Sequence, residues 1–409
     1  MQHKAVHHSI LISGASIAGL TLAHWLRRYG FEVTVVERAS APRPGGQAAV
    51  LRGVAKEVAA RMDVLPRIEQ SRVHERGLAY VDASGLRKAS VPAALSMAAA
   101  VEIEILRGDL TGILHEAAGE GVEYLFDDSI TELRETEEGL SVTFDRNESR
   151  VFHLIVGADG LHSNVRRLAF GPETDFVHHL GACLASFTVP ADGLELDDWF
   201  LVHNARGGRL VALRREGSNS ATAMFAFKAA GLVHDHHDLA RQQQVLAEKF
   251  AGMGWHTSRL LGSMSQALDF FFDTVSQTRM HRWARGRVAL VGDAGYCGSS
   301  LSGNSTAMAM VGAYILAGEL ARAGDDYSTA FDRCHDRMRP YVTACQKLPS
   351  GGIDGFLPNG RAAITMRNLS VQVRTSALFR RSTAQSLQQA DAITLPSYQA
   401  FETTDASSH

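Results

Sequence analysis

Cysteine is scarce: Cys183, Cys297, Cys334 and Cys345 are the only four in 409 residues, and no C-x-x-C pair occurs. That absence argues against dithiol–disulfide redox chemistry. Cys334 and Cys345 fall in one expected helix, where eleven positions set them roughly 16 Å apart, beyond disulfide reach. Reduced thiols are the simplest reading. Excess charge is missing too. The balance of 41 basic against 44 acidic residues leaves −3, which suggests neither nucleic acid nor an anionic membrane as partner. Long hydrophobic runs are also lacking. The longest uncharged stretch, Ala294 to Gly318, is half Gly/Ser loop, and its apolar part is too short to cross a bilayer. Residues 1–8 carry three histidines and no apolar signal core, so a cytoplasmic location is expected. What remains is 45% apolar and 21% charged, the make-up of a globular protein with one large or two ordinary domains.

The stretch that organises the chain is Ser9 to Arg38, SILISGASIAGLTLAHWLRRYGFEVTVVER. Its apolar run at Ile10 to Ile12 reads as a buried strand ending in a glycine turn. Thr21 to Tyr29 has helical spacing, Gly30 closes that helix, and Phe31 to Val36 is a second strand ending in Glu37. Gly14 permits the tight turn, and Gly19 lets helix and strand approach. The helix start offers N–H groups and a positive dipole end to a pyrophosphate. Glu37 lies 18 residues past Gly19, about where a carboxylate takes a ribose hydroxyl. The turn reads Gly14-Ala15-Ser16-Ile17-Ala18-Gly19, with Ser16 in the middle glycine position, so by itself it fits NAD, FAD or chance.

Further along, Ala41 to Gly53 is a Pro/Gly-rich loop entering a helix, and Lys88 to Ala100 shows no pattern beyond loop or helix. Arg107 stands at the start of a helix running to Ala118, where a phosphate or ribose contact and a plain surface charge are equally good readings. Glu123 to Phe126, Ser129 to Leu133 and Leu140 to Phe144 alternate like a meander. Val151 to Val156 is an apolar strand that delivers GADGLHSNVR, Gly157 to Arg166, at its carboxyl end. From Cys183 to Phe227 the pattern is that of an antiparallel sheet with one covered face. Its arginines, Arg206, Arg209, Arg214 and Arg215, are not separated by the pattern. GLVHDHHD, Gly231 to Asp238, reads as a solvated loop and helix cap rather than a metal site. Of Phe270, Phe271 and Phe272, one or two belong in a core. A third strand, Arg287 to Val291, ends in Gly292-Asp293 and a Gly/Ser loop before an apolar helix, Thr306 to Ala321. Three strand ends, at Gly14, Asp159 and Asp293, converging on one ligand ask for a long one, and a nicotinamide nucleotide needs fewer.

In order and spacing, Gly14–Gly19, Gly157–Arg166 and Gly286–Ala294 resemble the three marks of the group A flavin monooxygenases, the p-hydroxybenzoate hydroxylase-like family. The likeness covers roughly residues 9 to 345. Within the family, the segments Gly45–Gly53, Leu106–Leu110 and Gly298–Gly303 look most like the small actinobacterial and tetracycline-inactivating branch. The resemblance implies an α/β fold: a Rossmann-like FAD-binding domain with an inserted antiparallel-sheet substrate domain and a C-terminal helix. It divides the chain at 1–178 and 279–345 for the FAD domain, 179–278 for the sheet, and 346–409 for a helical segment and tail.

The same resemblance implies roles. Gly14, Ser16, Ile17, Ala18 and Gly19 would carry the pyrophosphate, Glu37 and Arg38 the adenosine end, and Arg107 the ribose–pyrophosphate region. Asp293 would bond the ribityl chain. The helix start at Gly303, Asn304 and Ser305 would face the flavin pyrimidine edge. Asp159 and Arg166 would support the site and transient NAD(P)H. Non-covalent FAD would be reduced by NAD(P)H, and O₂ would enter through a flavin C4a-hydroperoxide onto an aromatic or polyketide-like small molecule. No catalytic side chain and no metal are implied. A monomer or weak homodimer is expected. The halogenase motif W-x-W-x-I-P is absent, since Trp25, Trp199, Trp255 and Trp283 stand alone.

The sequence departs from the family at Ser16, at His153 where an aspartate is usual, and in the loop Ser300-Leu301-Ser302-Gly303-Asn304-Ser305, which lacks the usual first proline and last glycine. The expectation is a less constrained loop, with the Ser305 Cβ crowding the ring and peroxide escaping. That motivates an alternative reading as an FAD oxidase, dehydrogenase or cyclase without net oxygen insertion.

Overall fold

The computed structural model describes residues 9–42, 48–93, 103–229, 238–348, 351–375 and 393–402. Gly231 to His237, and with them most of the GLVHDHHD segment, lie outside these residues, as does Arg43 to Gln47 of the Pro/Gly-rich loop.

The apolar strands found in the sequence meet in one six-stranded sheet. β1 (Ser9–Ser13) lies at its centre between β2 (Glu32–Glu37) and β11 (Leu154–Gly157), all parallel. β18 (Val288–Leu290) extends it parallel beyond β11, and β17 (Ala284–Arg285) closes that edge antiparallel. Ile10, Leu11 and Ile12 are fully buried, in one core with Trp25 and Tyr314 of two helices and with Val142 and Phe152 of two further strands. On one face, α1 (Ile17–Arg28) packs against α9 (Ser305–Ala323), with Trp25 edge-on to Tyr314 at 4.9 Å. α4 (Arg107–Ala118) flanks α1, and α10 (Tyr327–Cys345) flanks α9. A Cβ at Gly19 would sit 1.9 Å from the Gly14 carbonyl oxygen, so the strand–helix approach requires glycine there.

Glu123–Phe126, read from sequence as the first run of a meander, lies in β7 (Val122–Phe126), parallel to β2 at the sheet's other edge. An edge strand covered on one side alternates like an antiparallel one, which is why periodicity misreads it. The true meander is β8 (Ile130–Glu135), β9 (Leu140–Phe144) and β10 (Arg150–Phe152). A two-stranded ribbon, β3 (Ala48–Leu51) with β6 (Ile103–Leu106), precedes α2 (Val54–Arg61) and α3 (Leu65–Gln70).

The second sheet has seven strands. β16 (Phe271–Thr278), β12 (Val177–Pro190), β15 (Ser220–Lys228), β14 (Arg209–Glu216) and β13 (Trp199–Ala205) are antiparallel neighbours in that order. β4 (Gly77–Val81) then adds parallel to β13, and β5 (Arg87–Pro92) completes the edge. Two strands of this sheet, Gly77–Val81 and Arg87–Pro92, thus come from before residue 178. Alternation sends Val211, Leu213, Phe225 and Phe227 to the outer face, under α6 (Leu239–Phe250) and α7 (Thr257–Ser263). Phe270 and Phe272 join that outer core, while Phe271 is exposed. Leu210, Ala212 and Ala226 point inward.

Four further helices complete the fold. α5 (Asn164–Ala169) follows β11, and the single turn α8 (Asp293–Tyr296) follows β18. α11 (Gly352–Phe356) and α12 (Arg361–Thr375) lie over the large sheet, where the Arg367 guanidinium stacks 3.7 Å above Tyr80 and donates to Asn204. The chain then returns to the first sheet's helices. Tyr398 is buried in a notch at Gly318, where a Cβ would lie 2.1 Å from its ring, and its hydroxyl donates to Glu319 at 2.6 Å. Among the described residues no helix is long and apolar enough to cross a membrane.

Candidate functional site

Strand ends β1, β11 and β18 all reach the same edge of the six-stranded sheet, and the sequence's site residues gather there. Gly14 takes φ 108°, and its N–H donates to the Val36 carbonyl, which turns the chain into α1. Ser16 is the residue before α1. Its side chain does not cap the helix, and no acid stands in the first turn. Instead Ser16 Oγ accepts a hydrogen bond from Arg107 Nη2 at 2.9 Å. The serine that replaces the middle glycine thus fixes the arginine at the start of α4. The N–H groups of the first turn, at Ile17, Ala18 and Gly19, face the sheet edge without an intrahelical partner. Glu37, at the end of β2, accepts from the backbone N–H of Ala15 and of Ala39, both at 2.9 Å. It locks the turn while its remaining lone pairs stay open to a hydroxyl. Arg38 is exposed beside it.

Asp293 opens α8. It is half-buried, and desolvation raises its pKa while the facing Arg107 charge and a hydrogen bond from Cys297 pull it back down. Arg107 and Asp293, 186 positions apart in sequence, therefore share one electrostatic space. Gly303, with φ 65°, and buried Asn304 lead into α9, which starts at Ser305. Asn304 does not cap α9 with its side chain, and the first turn holds no acid. The Asn304 side-chain Oδ1 instead accepts from Arg52, whose guanidinium also reaches the Gly303 backbone carbonyl at 3.4 Å. Arg52 is 7% exposed, and nothing in the Pro/Gly-rich loop's composition singles it out.

The loop before α9 differs from its sequence expectation. Ser305 is the first residue of the helix and is not among the positive-φ residues, so position 305 has no need of glycine. The left-handed positions are Ser299, φ 78°, and Gly303. Nor is the loop slack. Ser302 Oγ donates to the Ser299 carbonyl at 3.0 Å and accepts from the Asn304 N–H at 3.3 Å. Hydroxyl bonds supply the restraint that a proline ring would otherwise give.

Asp159 and Arg166 work at one remove. Asp159 accepts from Ser163 Oγ and from the N–H groups of Asn164 and Val165 at 2.9 and 3.0 Å, which closes the start of α5. Burial raises its pKa, and these hydrogen bonds oppose the rise. Arg166, fully buried, donates to the carbonyls of Ala294 and Leu161 at 2.9 and 2.6 Å. It ties the GADG turn to the turn of Asp293. Next to it, His162 bridges Glu173 and Asp273, each at 3.0 Å, and so joins the first sheet to β16 of the second. Burial opposes its charge, but the two carboxylates outweigh burial and hold its pKa up at about 9.

Opposite this edge stands the inner face of the large sheet. Leu78, Tyr80, Phe200, Leu210 and Met224 pack in one cluster with Leu301 of the loop and Phe356 of α11. A buried cation lies on that face. Arg214, 5% exposed, is held by Glu104 and by Glu75 at 3.3 Å and stacks over Phe200 at 5.7 Å. Burial and the neighbouring Glu104 push Glu75 up to about 7, against the Arg214 charge. Arg209 bonds exposed backbone carbonyls, and Arg215 bonds the Ser218 carbonyl and pairs with Asp198 at 3.7 Å. Strand alternation holds this distinction in principle. Arg214 has the parity of Leu210 and Ala212, and the inner face becomes recognisable once Leu301 is seen against it.

A family model for the FAD binding domain matches residues 7–345. The uncharacterized protein Rv1260 of Mycobacterium tuberculosis is 45% identical over 353 residues, 86% of this chain and 95% of that one. A flavin-dependent monooxygenase of Legionella longbeachae is 38% identical over 351 residues, 85% of this chain and 89% of its own length. The crystal structure of tetracycline destructase Tet(51) superposes with a TM-score of 0.81 at 34% identity, covering 96% of this chain and 99% of that one.

The geometry suits an FAD. Two helices, α1 and α9, start at the site with neither a side-chain cap nor an acid, which leaves positive dipole ends for anionic groups. At the same edge Arg107 bonds Ser16 ahead of α1, and its charge acts on the half-buried Asp293. Three ordered strand-end motifs, two uncapped helix starts and a match across residues 7–345 agree that this chain belongs to the FAD-dependent monooxygenase family.

Proposed function

We propose that the chain hydroxylates an aromatic or polyketide-like small molecule with NAD(P)H and O₂, and that its FAD lies between the starts of α1 and α9. The observation that carries this reading is the pair of uncapped helix starts with Arg107 and Asp293 at the same edge. When bound, FAD supplies the electron and oxygen chemistry. The residues of the chain bind and orient. The first turn of α1 and Arg107 would take the pyrophosphate, Glu37 a ribose hydroxyl, and Asp293 a hydroxyl of the ribityl chain. The start of α9, backed by Arg52, would offer its positive dipole end to the pyrimidine edge. Leu301, Phe356 and the inner sheet face keep water away from the reacting carbon. Arg214 gives that apolar face a place to hold an acidic or carbonyl oxygen of the substrate.

The test is product mass. Purified protein reconstituted with FAD is incubated with NADPH, O₂ and either tetracycline or a phenolic naphthoquinone. A product heavier by one oxygen, made with matching NADPH consumption, supports the proposal. A product lighter by two hydrogens would move the chain to an oxidase or dehydrogenase, and an isomer of unchanged mass to a cyclase. Fast NADPH oxidation indifferent to every aromatic compound would leave a simple flavin reductase.

A further inference from the structure

Behind the turn that carries Asp293, on the far side of β17 and β18, lies a cavity of about 300 Å³. Its walls include Trp283, Tyr296, Phe331 and His335, with Arg282 and Arg285 beside them. Nothing in the proposed oxygenation uses this space.

The polar atoms around it are unbalanced. Arg339 Nε donates to His335 Nε2 at 3.3 Å, and a guanidinium has no acceptor, so Nε2 must be the unprotonated nitrogen. Burial and the nearby Arg339 and Arg282 charges keep this ring below the usual histidine pKa and therefore neutral. Its one proton then sits on Nδ1, which is buried and has no partner. Trp283 is 6% exposed, and its indole Nε1, a donor only, is likewise buried without a partner. The two rings lie 4.7 Å apart, and the Arg339 guanidinium is 4.2 Å above the indole. Two unmet donors in neighbouring rings are a cost that a native structure relieves with a ligand or with ordered water.

The surroundings choose between occupants. Arg282, Arg285 and Arg339 stand against Asp332 and Asp336, and Asp332 is already paired with Arg282 at 2.7 Å. The net local charge is positive, and the remaining walls are largely apolar, with the rings of Trp283, Tyr296 and Phe331 among them. An acceptor-only anion with a flat apolar body matches donors, charge and walls together, and a volume near 300 Å³ limits it to one or two rings. We propose that this cavity is a second binding site for a small planar aromatic carboxylate, whose oxygens accept from Trp283 Nε1–H and His335 Nδ1–H. The proposal is independent of the substrate reading, because none of the residues given an FAD role lines this cavity.

The experiment uses holoenzyme and 2-naphthoate, with 2-naphthylmethanol as the uncharged comparison. Protein labelled with ¹⁵N-tryptophan has four indole N–H signals to follow, one per tryptophan. Addition of 2-naphthoate should move one of them downfield, and that signal should be missing from Trp283→Phe, which keeps a ring and removes the donor. Calorimetry should show binding weakened at least tenfold in Trp283→Phe and in His335→Phe at parental FAD content. The alcohol should bind at least tenfold more weakly than the acid to the parent. Equal 2-naphthoate affinity in parent and both variants, or an unmoved Trp283 indole at saturation, would overturn the proposal and leave a hydrated cavity. The indole shift is read on the parent protein, so it decides even where a variant folds poorly.

Discussion

α9 and α10 are both nineteen residues long, lie side by side, and treat their N-termini in opposite ways. α10 is closed by its own chain. Asp326 accepts from the Thr329 N–H at 3.0 Å and from its hydroxyl at 2.6 Å. The turn before it puts its positive φ on a glycine, Gly324. α9 has fourteen buried residues against six in α10, so unmet N–H groups at its start are harder for water to reach. Yet Asn304 turns its side chain away from the helix, towards Arg52 and the Cys345 carbonyl. One left-handed position on the approach is a serine. A buried helix whose start is left open and whose approach is strained keeps N–H groups there that an anionic group from outside the chain can meet.

The largest expected effect comes from the acid beside that open end. Asp293→Ala removes a charged acceptor worth about 1.5–3 kcal/mol, so FAD should dissociate roughly ten- to hundredfold more readily. Apo stability should hardly move, because among the described residues only Arg107 and Cys297 lose a partner. Fluorescence titration of apo protein with FAD measures the first effect and thermal melting the second. If FAD binds Asp293→Ala as tightly as the parent, the start of α9 serves something other than this cofactor.

Next in size is the matching change on α10. Asp326→Ala deletes a cap worth about 1 kcal/mol, which lowers Tm by about 2 °C for a chain of this size. FAD affinity should stay within twofold of the parent. A loss of FAD on this substitution would break the comparison, since it would mean that the capped helix also reports to the site.

Legibility in the sequence follows the same line. Where a strand is buried on both faces, as at Ile10–Ile12, the apolar run has no rival reading and the glycine turn follows from it, whereas the run read as one strand from Val151 to Val156 divides at His153 between β10 and β11. Where one face is open the pattern degenerates. Val122–Phe126 alternates like a meander strand although it pairs in parallel, and Arg87–Pro92 carries too few apolar residues to stand out from loop. Among site residues, those at strand ends could be named because the strand announces them. Arg52 could not, because a four-residue ribbon strand ending in a lone cation has no periodicity to mark it. Arg214 was one of four equal arginines until the pleat and the opposing Leu301 were both in view. Ser299 is the clearest case of a hidden feature: attention goes to the altered positions 300 and 305, while the strained φ belongs to the residue before them.

Ser299 offers the third way to sharpen the contrast, and a smaller one. It is 1% exposed, holds φ 78°, and its hydroxyl oxygen is buried without a partner. Glycine at this position would make the approach to α9 resemble the approach to α10. The left-handed backbone then costs less and the unmet hydroxyl disappears, while the unfolded chain gains freedom. The net should be a gain of about 0.5–1 kcal/mol in apo stability, read as a rise in the urea midpoint with unchanged slope. An unchanged or lower midpoint would show that the hydroxyl is met in solution and that no strain is held there.

The smallest effect carries the most direct reversal. Ser305→Asp gives α9 the first-turn acid that the open end lacks, without touching the apolar core or the bonds of Asn304. In the apo protein the new carboxylate meets the positive end of the dipole and should add about 0.3–1 kcal/mol of stability. In the holoprotein the same charge competes with the anionic edge that the helix start is open to receive. FAD affinity should fall by about the same free energy, roughly two- to fivefold, and the bound flavin should become harder to reduce. The two signs must be opposite. Both come from one charge at one dipole end, so apo stability by urea melting and FAD affinity by titration can be compared on the same variant. A variant that gains apo stability and also binds FAD more tightly would show that the start of α9 does not face a developing negative charge. One that loses apo stability and keeps its FAD would show that the end is already satisfied by the chain, as α10 is.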